Sequence, residues 1–418
     1  MEKKLQEDWT VIYLIRVSEV YWKDAKRMLD DIAAQNLCGG VNVVVWLDAF
    51  LKFQHQLDPL ESISPRGSIT ANMIYRLDGA SWKRVKDVPL WNIKNRKDIR
   101  RYFNFVLDEY PAKKYLLFTW DHGTGYAIFN DGESPEETAG PFTLLNMKDL
   151  VKAIKKSFGK RDGQQINVVI MMNCYMQLFD TGYEFSRVGV EYLVSSENAG
   201  SFMGFNYKEL FMQLFREHAT MSSRGIAIQA VSLFNSETFL RELRPDDPLH
   251  HAAFFATDLR RYKSMYNNID RLAKELINLP DAEIRNIGSR DFGLKYVNAN
   301  RMIDFFFFIG KLRKMTGQNW NSDLFAEIEQ LRAEIIVATF YGAEIKKEEN
   351  KIPLGFSLGF AIEENDAGNI LFQLFHKRDS ADASTFTKEN NWSHFTERYL
   401  ALILVQRMSA SSELMGLA

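Results

Sequence analysis

The sequence is poor in cysteine: its 418 residues contain two, Cys38 and Cys174. That excludes a disulfide scaffold as the basis of the fold and permits a reduced Cys174. No uninterrupted apolar run reaches about 18 residues, so a membrane-spanning helix is not expected. An excess of one charge sign is missing too. The net charge of -2 gives no reason to expect nucleic acid or an anionic membrane as a partner. Behind the start MEKKLQEDWT there is no apolar segment of signal-peptide length, since VIYLI is short and reads as a strand. The expectation is a cytoplasmic protein as the sequence stands, or a secreted or cell-surface one if a precursor signal has been trimmed. No internal repeat or low-complexity stretch is present, and nothing in the sequence sets an oligomeric state.

What is there is an ordinary globular composition, 46% hydrophobic and 25% charged, in a chain longer than single cores usually grow. Trp9 to Val17 reads as a strand, Tyr21 to Gln35 as a helix, and Val41 to Phe50 as a second strand: a β-α-β unit with a right-handed crossover. Ser68 to Asp78 reads as an added antiparallel strand. Asp98 to Glu109 and Asn146 to Phe158 read as helices, each followed by a strand. This alternation predicts an α/β fold with a mostly parallel sheet flanked by helices. Beyond Pro245-Asp246-Asp247-Pro248 longer helices take over: Asp258 to Ile277, Ala299 to Thr316 and Ser322 to Thr339. The expected division is a sheet domain over 1–250 and a helix-rich domain over 251–418.

Two strand-like runs end in reactive side chains. Ile166 to Met176, INVVIMMNCYM, delivers Cys174; Lys114 to His122, KYLLFTWDH, delivers His122 and then Gly123. In open α/β sheets the carboxyl ends of strands are where ligands and chemistry collect. A nucleophilic cysteine must become thiolate, and a nearby imidazole favours that. Glycine lets a substrate backbone approach, so the N–H groups of Gly123 and Cys174 form a candidate oxyanion hole. Each residue alone also suits a plain packing role, cysteine being among the most buried residue types. Their joint placement points to a Cys-His site.

The text around both residues resembles the clostripain family of cysteine peptidases, which have a caspase-like fold. The family pattern W-D-H-G-x-G-W stands here as Trp120-Asp121-His122-Gly123-Thr124-Gly125-Tyr126, and D-A-C-L-M as Met172-Asn173-Cys174-Tyr175-Met176. The stretch Val190 to Asn198 is similar to A-D-Y-L-V-x-S-E-E. The resemblance implies a cysteine endopeptidase acting on a peptide or protein substrate. Cys174 is then the nucleophile, His122 the general base, and Asp121 the residue that orients the His-bearing turn. It places substrate contacts at Met172, Ser196 and Glu197. At Met172 the chain departs from the family, whose aspartate there is associated with a basic P1 side chain. An ammonium or guanidinium at P1 needs a carboxylate partner, so P1 preference is left uncertain. A catalytically silent caspase-like peptide-binding or scaffold protein is the alternative.

Family members are often cut between the two motifs after a basic residue. Asp131 to Met147 contains no Lys or Arg, so an intact chain is expected. No cofactor is required by the resemblance. Calcium is possible at Asp131, Glu133, Glu136 and Glu137, although these lack the alternating spacing and closing Glu of a calcium loop. His250-His251 beside Asp246 and Asp247 reads as solvated charge, so no metal ligands are assigned. Phe305 to Phe308 reads as a buried helix, and Cys38 as packing.

Overall fold

The computed structural model describes residues 5–36, 39–51, 69–129, 144–200, 204–287, 289, 296–297, 301–317, 320–347, 353–362 and 376–416. Cys38, the acidic stretch 131–140 and residues 201–203 lie outside them. The strands are β1 (Glu7–Ser18), β2 (Val41–Leu51), β3 (Ile69–Asp78), β4 (Ser81–Asp87), β5 (Ala112–Trp120), β6 (Ala127–Ile128), β7 (Leu145–Asn146), β8 (Ile166–Met171), β9 (Tyr192–Ser196), β10 (Ala253–Asp258), β11 (Met302–Asp304), β12 (Ile336–Tyr341) and β13 (Ser357–Gly359).

Nine of them form one sheet in the order β12-β10-β9-β8-β5-β1-β2-β3-β4. The five central strands, from β9 to β2, run parallel, and antiparallel neighbours flank them on both sides. Continuous apolar runs suit this centre, because a parallel sheet is buried on both faces. On one face the helix Arg96–Glu109 lies beside the helix Met147–Phe158; Phe103 and Tyr115 meet the Phe158 ring edge-on at 5.8 and 5.2 Å. Buried Tyr102 donates its hydroxyl to the carbonyls of Tyr13 and Val44 at 3.1 and 3.0 Å, so its one polar atom is not stranded. On the other face Phe118 stacks on Tyr13 with centroids 4.5 Å apart, beneath the helices Trp22–Ala33, Tyr207–Glu217 and Ser223–Ser232.

Two strands at one side of the sheet differ from the sequence expectation. β10, AFFATD, pairs antiparallel with β9, and β12, IVATFY, continues the sheet where a helix is expected up to Thr339. Both sequences are β-branched or aromatic, but each adjoins a helix of matching apolar period. Periodicity alone does not separate short apolar runs of this kind.

The chain divides into two compact units that interleave along the sequence, in contrast to a single cut at 250. One comprises Met1–Met176, Phe185–Arg260 and Val337–Ile352; the other comprises Gln177–Glu184, Arg261–Ile336 and Pro353–Ala418. The second unit is built from helices such as Tyr262–Ile277, Phe305–Thr316, Ser322–Ile335 and Asn391–Gly416, with the small β11-β13 pair. Its core is aromatic: Phe179 stacks on Tyr262 at 4.9 Å, and Phe305 on Phe356 at 5.6 Å. Phe305, Phe306 and Phe308 are all buried, as a packing role requires. Among the described residues no helix is long and apolar enough to cross a membrane.

Candidate active site

β5 and β8 are parallel neighbours, with Phe118 opposite Ile170 and Thr119 opposite Met171. The ladder runs one step further, since the Met172 N–H donates to the Thr119 carbonyl at 2.9 Å. His122 and Cys174 therefore leave the carboxyl ends of adjacent strands. Strand alternation sends Val168, Ile170 and Met172 to the face that carries Phe118 and Trp120. Thr119 and Asn173 go to the opposite face.

His122, Cys174, Asp121 and Gly200 line one cleft, whose apolar wall is Tyr21, Trp120, Met172 and Pro248. The His122 ring meets the Tyr21 ring edge-on at 5.1 Å, and Tyr21 in turn meets Trp120 at 6.5 Å. The apolar wall is the end of the core face: Met172 and Trp120 belong to the same buried cluster as Phe118 and Ile170.

The thiol of Cys174 is partly accessible and forms no disulfide. Burial pushes it above its usual value, and the Asp121 charge adds to the rise. The Gly200 N–H, 3.3 Å from Sγ, and the Cys174 N–H work the other way. At neutral pH the resting group is a thiol, and it needs a base to become a nucleophile. After Cys174 the chain turns sharply. Tyr175 adopts φ 65°, a left-handed conformation uncommon outside glycine, and donates its N–H to Asn198 at 2.8 Å. Asn198 also accepts from the Ala253 N–H at 2.8 Å, tying this turn to the start of β10.

Gly123 lies hard against the cysteine strand. A Cβ built there would fall 2.5 Å from the Cys174 carbonyl oxygen and 2.7 Å from the Asn173 Cβ. Only glycine fits at this approach. The same residue bridges to Ile128 through bonds made by its neighbours: Thr124 N–H to Ala127 O at 3.0 Å, and Phe129 N–H to His122 O at 3.3 Å. In this type of antiparallel pair the Gly123 N–H takes no part.

Met172 lines the cleft two residues before Cys174, whereas Ser196 and Glu197 do not appear among the described residues that line it. Both are fully buried at the end of β9. The Ser196 hydroxyl donates to Ala199 O at 2.7 Å, and the Glu197 N–H to Ala253 O at 3.0 Å. His250 and Asp247 have local roles. The imidazole contacts the Arg244 carbonyl at 3.2 Å, and the carboxylate accepts from the Leu249 N–H at 2.8 Å.

Sequence reading gave no role to Asn173, Thr119 or Gly200. Asn173 is completely buried. Its Nδ2 donates to the carbonyls of Asp121 and His122 at 3.0 and 3.1 Å, and its Oδ1 accepts from Thr119 Oγ1 at 2.5 Å. The available signal was a polar residue near the end of each of two apolar runs, Thr119 in KYLLFTW and Asn173 in INVVIMMN.

The clostripain family profile matches residues 18–395, and the chain belongs to this family of cysteine peptidases. A search of curated proteins finds no match. Among solved structures, a secreted cysteine protease from Bacteroides thetaiotaomicron, iotapain, is 14% identical with a TM-score of 0.58, over 94% of this chain and 100% of that one. A structure of a secreted protease of the same class from that organism, in complex with an irreversible peptide inhibitor, gives 14% identity and a TM-score of 0.54, over 80% and 84%. An inactive zymogen from Parabacteroides distasonis gives the same identity and TM-score over 81% and 85%. At this identity the likeness establishes the fold.

Proposed function

We propose that this chain is a cysteine endopeptidase that hydrolyses peptide bonds through a Cys174-His122 dyad. The observation that carries the reading is that His122 and Cys174 follow the carboxyl ends of adjacent parallel strands and line one cleft, with Gly123 packed against the Cys174 backbone. His122 takes the thiol proton as Sγ attacks the scissile carbonyl carbon. The negative charge that develops on the carbonyl oxygen is met by the N–H groups of Gly123 and Cys174. The imidazolium then protonates the leaving amine, and water releases the acyl group. Because the resting thiol is raised rather than lowered, the base is needed in the attack itself. These steps use proton transfer and backbone donors alone, so the proposed reaction requires no cofactor. Calcium at the 131–137 stretch would act outside them.

For P1 the reading favours an uncharged side chain. The cleft wall beside Cys174 is Tyr21, Trp120, Met172 and Pro248, continuous with the core. A basic P1 would have to reach Asp121, the carboxylate among the described lining residues. Burying an ammonium against the apolar wall without a partner would cost several kcal/mol.

The test is labelling of Cys174 by peptidyl irreversible inhibitors carrying P1 norleucine or P1 lysine. Expected is labelling in the wild type, stronger with norleucine, and none in His122→Ala. Absence of labelling with both probes would sink the peptidase reading and favour the silent, peptide-binding alternative. Labelling by lysine alone would reverse the P1 assignment.

A further inference from the structure

We propose that Asn173 is the positioning residue of the oxyanion hole, acting through the His122-Gly123 peptide. This rests on the peptidase reading above and goes beyond the dyad.

The orientation of the Asn173 amide is fixed by chemistry. Two of its three partners are backbone carbonyls, of Asp121 and His122, which can only accept; the amide nitrogen must face them and its oxygen must face the Thr119 hydroxyl. Both amide hydrogens are thus used on successive carbonyls of the turn that carries His122. Complete burial keeps water from competing for them. The His122 carbonyl also accepts from the Phe129 N–H at 3.3 Å, so that peptide is held by two donors.

A trans peptide is planar, with its C=O and N–H pointing in opposite directions. No cis bond occurs among the described residues. Holding the His122 carbonyl toward Asn173 therefore aims the Gly123 N–H away from Asn173. Asn173 bonds Thr119 on the face opposite Trp120 and Met172, so the direction away from it is the side on which Met172 lines the cleft with Cys174. The Gly123 N–H is not used in the bridge to Ile128, and the Gly123 Cα lies against the Cys174 backbone. The peptide after Asn173 supplies the other proposed donor, the Cys174 N–H. One buried side chain thus connects both donors to the strand ends, with Thr119 as its anchor.

The test separates carbonyl chemistry from thiol reactivity. Hydrolysis of a peptide ester or amide builds negative charge on an oxygen, whereas alkylation of Cys174 by iodoacetamide displaces iodide from a saturated carbon and builds none. For Asn173→Ala we expect kcat/KM to fall roughly 10- to 100-fold, mainly through kcat. Alkylation should stay within about twofold of wild type, because no oxyanion forms in that displacement. Asn173→Asp has no N–H to offer and should fall at least as far. Thr119→Val should move in the same direction by a smaller factor, and Thr119→Ser should restore it. Thermal unfolding of each variant checks folding; should the Asn173 variants not fold, the Thr119 pair carries the test. Unchanged hydrolysis, or hydrolysis and alkylation falling together, would overturn the inference. A wild-type protein that neither hydrolyses substrate nor shows His122-dependent labelling overturns the peptidase reading and this inference with it. An active wild type beside an equally active Asn173→Ala overturns the inference alone.

Discussion

At the amino ends of β1 and β5, the Asp8 carboxylate meets Lys113 Nζ at 2.7 Å and His218 Nδ1 at 2.6 Å, with the imidazole ring packed over Gly40. At the carboxyl ends of β5 and β8, the polar side chain at the centre is Asn173, and its partners are two backbone carbonyls and a hydroxyl. Both ends hold a histidine, but in different company. His218 is paired with a carboxylate near the surface. His122 faces a cleft, with Tyr21 edge-on at 5.1 Å. At the amino end charges pair with one another, which serves the fold modestly. At the carboxyl end the neutral Asn173 amide holds the backbone, and His122 and Cys174 line the cleft.

The comparison breaks most severely if the carboxyl end is stripped of its chemistry. Cys174→Ala and His122→Ala should each lower peptide hydrolysis by at least about 10³-fold with little change in thermal stability. A fluorogenic peptide assay checks this, and retained activity in either variant would remove the distinction between the two ends. Next in size is Gly123→Ala. The added Cβ would press on the Cys174 carbonyl and the Asn173 Cβ, so the His turn must move off the cysteine strand. Hydrolysis should fall by roughly 10²-fold, and stability by about 1–3 kcal/mol, measured by urea unfolding.

Met172→Asp sharpens the comparison by placing a carboxylate in the apolar wall. The kcat/KM ratio for P1 Arg or Lys against P1 norleucine should rise by about tenfold or more. A P1 library read against the wild type measures it. Smallest is Asp8→Asn, which should leave hydrolysis unchanged and cost under about 1 kcal/mol, less in high salt. The bonds from Lys113 first and then His218 hold the Asp8 carboxyl below its usual value. A depressed folded-state value stabilises above the unfolded carboxylate pKa, and that contribution is lost as pH falls through the folded value. Wild type and Asp8→Asn should therefore converge in stability in the acid range, which unfolding at pH 7 and pH 3 would measure.

The strands that matter most were readable because parallel central strands announce themselves as apolar runs. Trp9 to Val17, Val41 to Phe50 and the runs ending at His122 and Cys174 all belong to the sheet core. β10 and β12 were not readable, since each abuts a helix and its pairing partner is remote in sequence. The interleaving of the two units escaped for the same reason. A segment such as Gln177–Glu184 carries no local mark of the unit it joins.

By itself the sequence determined the residue types: a cysteine and a histidine at the ends of two buried strands, a glycine beside the histidine, and a methionine where the family has an acid. Those follow from local pattern and motif. Tertiary structure alone decided that β5 and β8 are neighbours, that Gly123 touches the Cys174 backbone, and that Ser196 and Glu197 are buried while Met172 lines the cleft. It also gave Asn173 its partners on a turn 51 and 52 residues away. The physical reason is that register and hydrogen-bond direction are properties of pairs of strands, and no single strand encodes its partner.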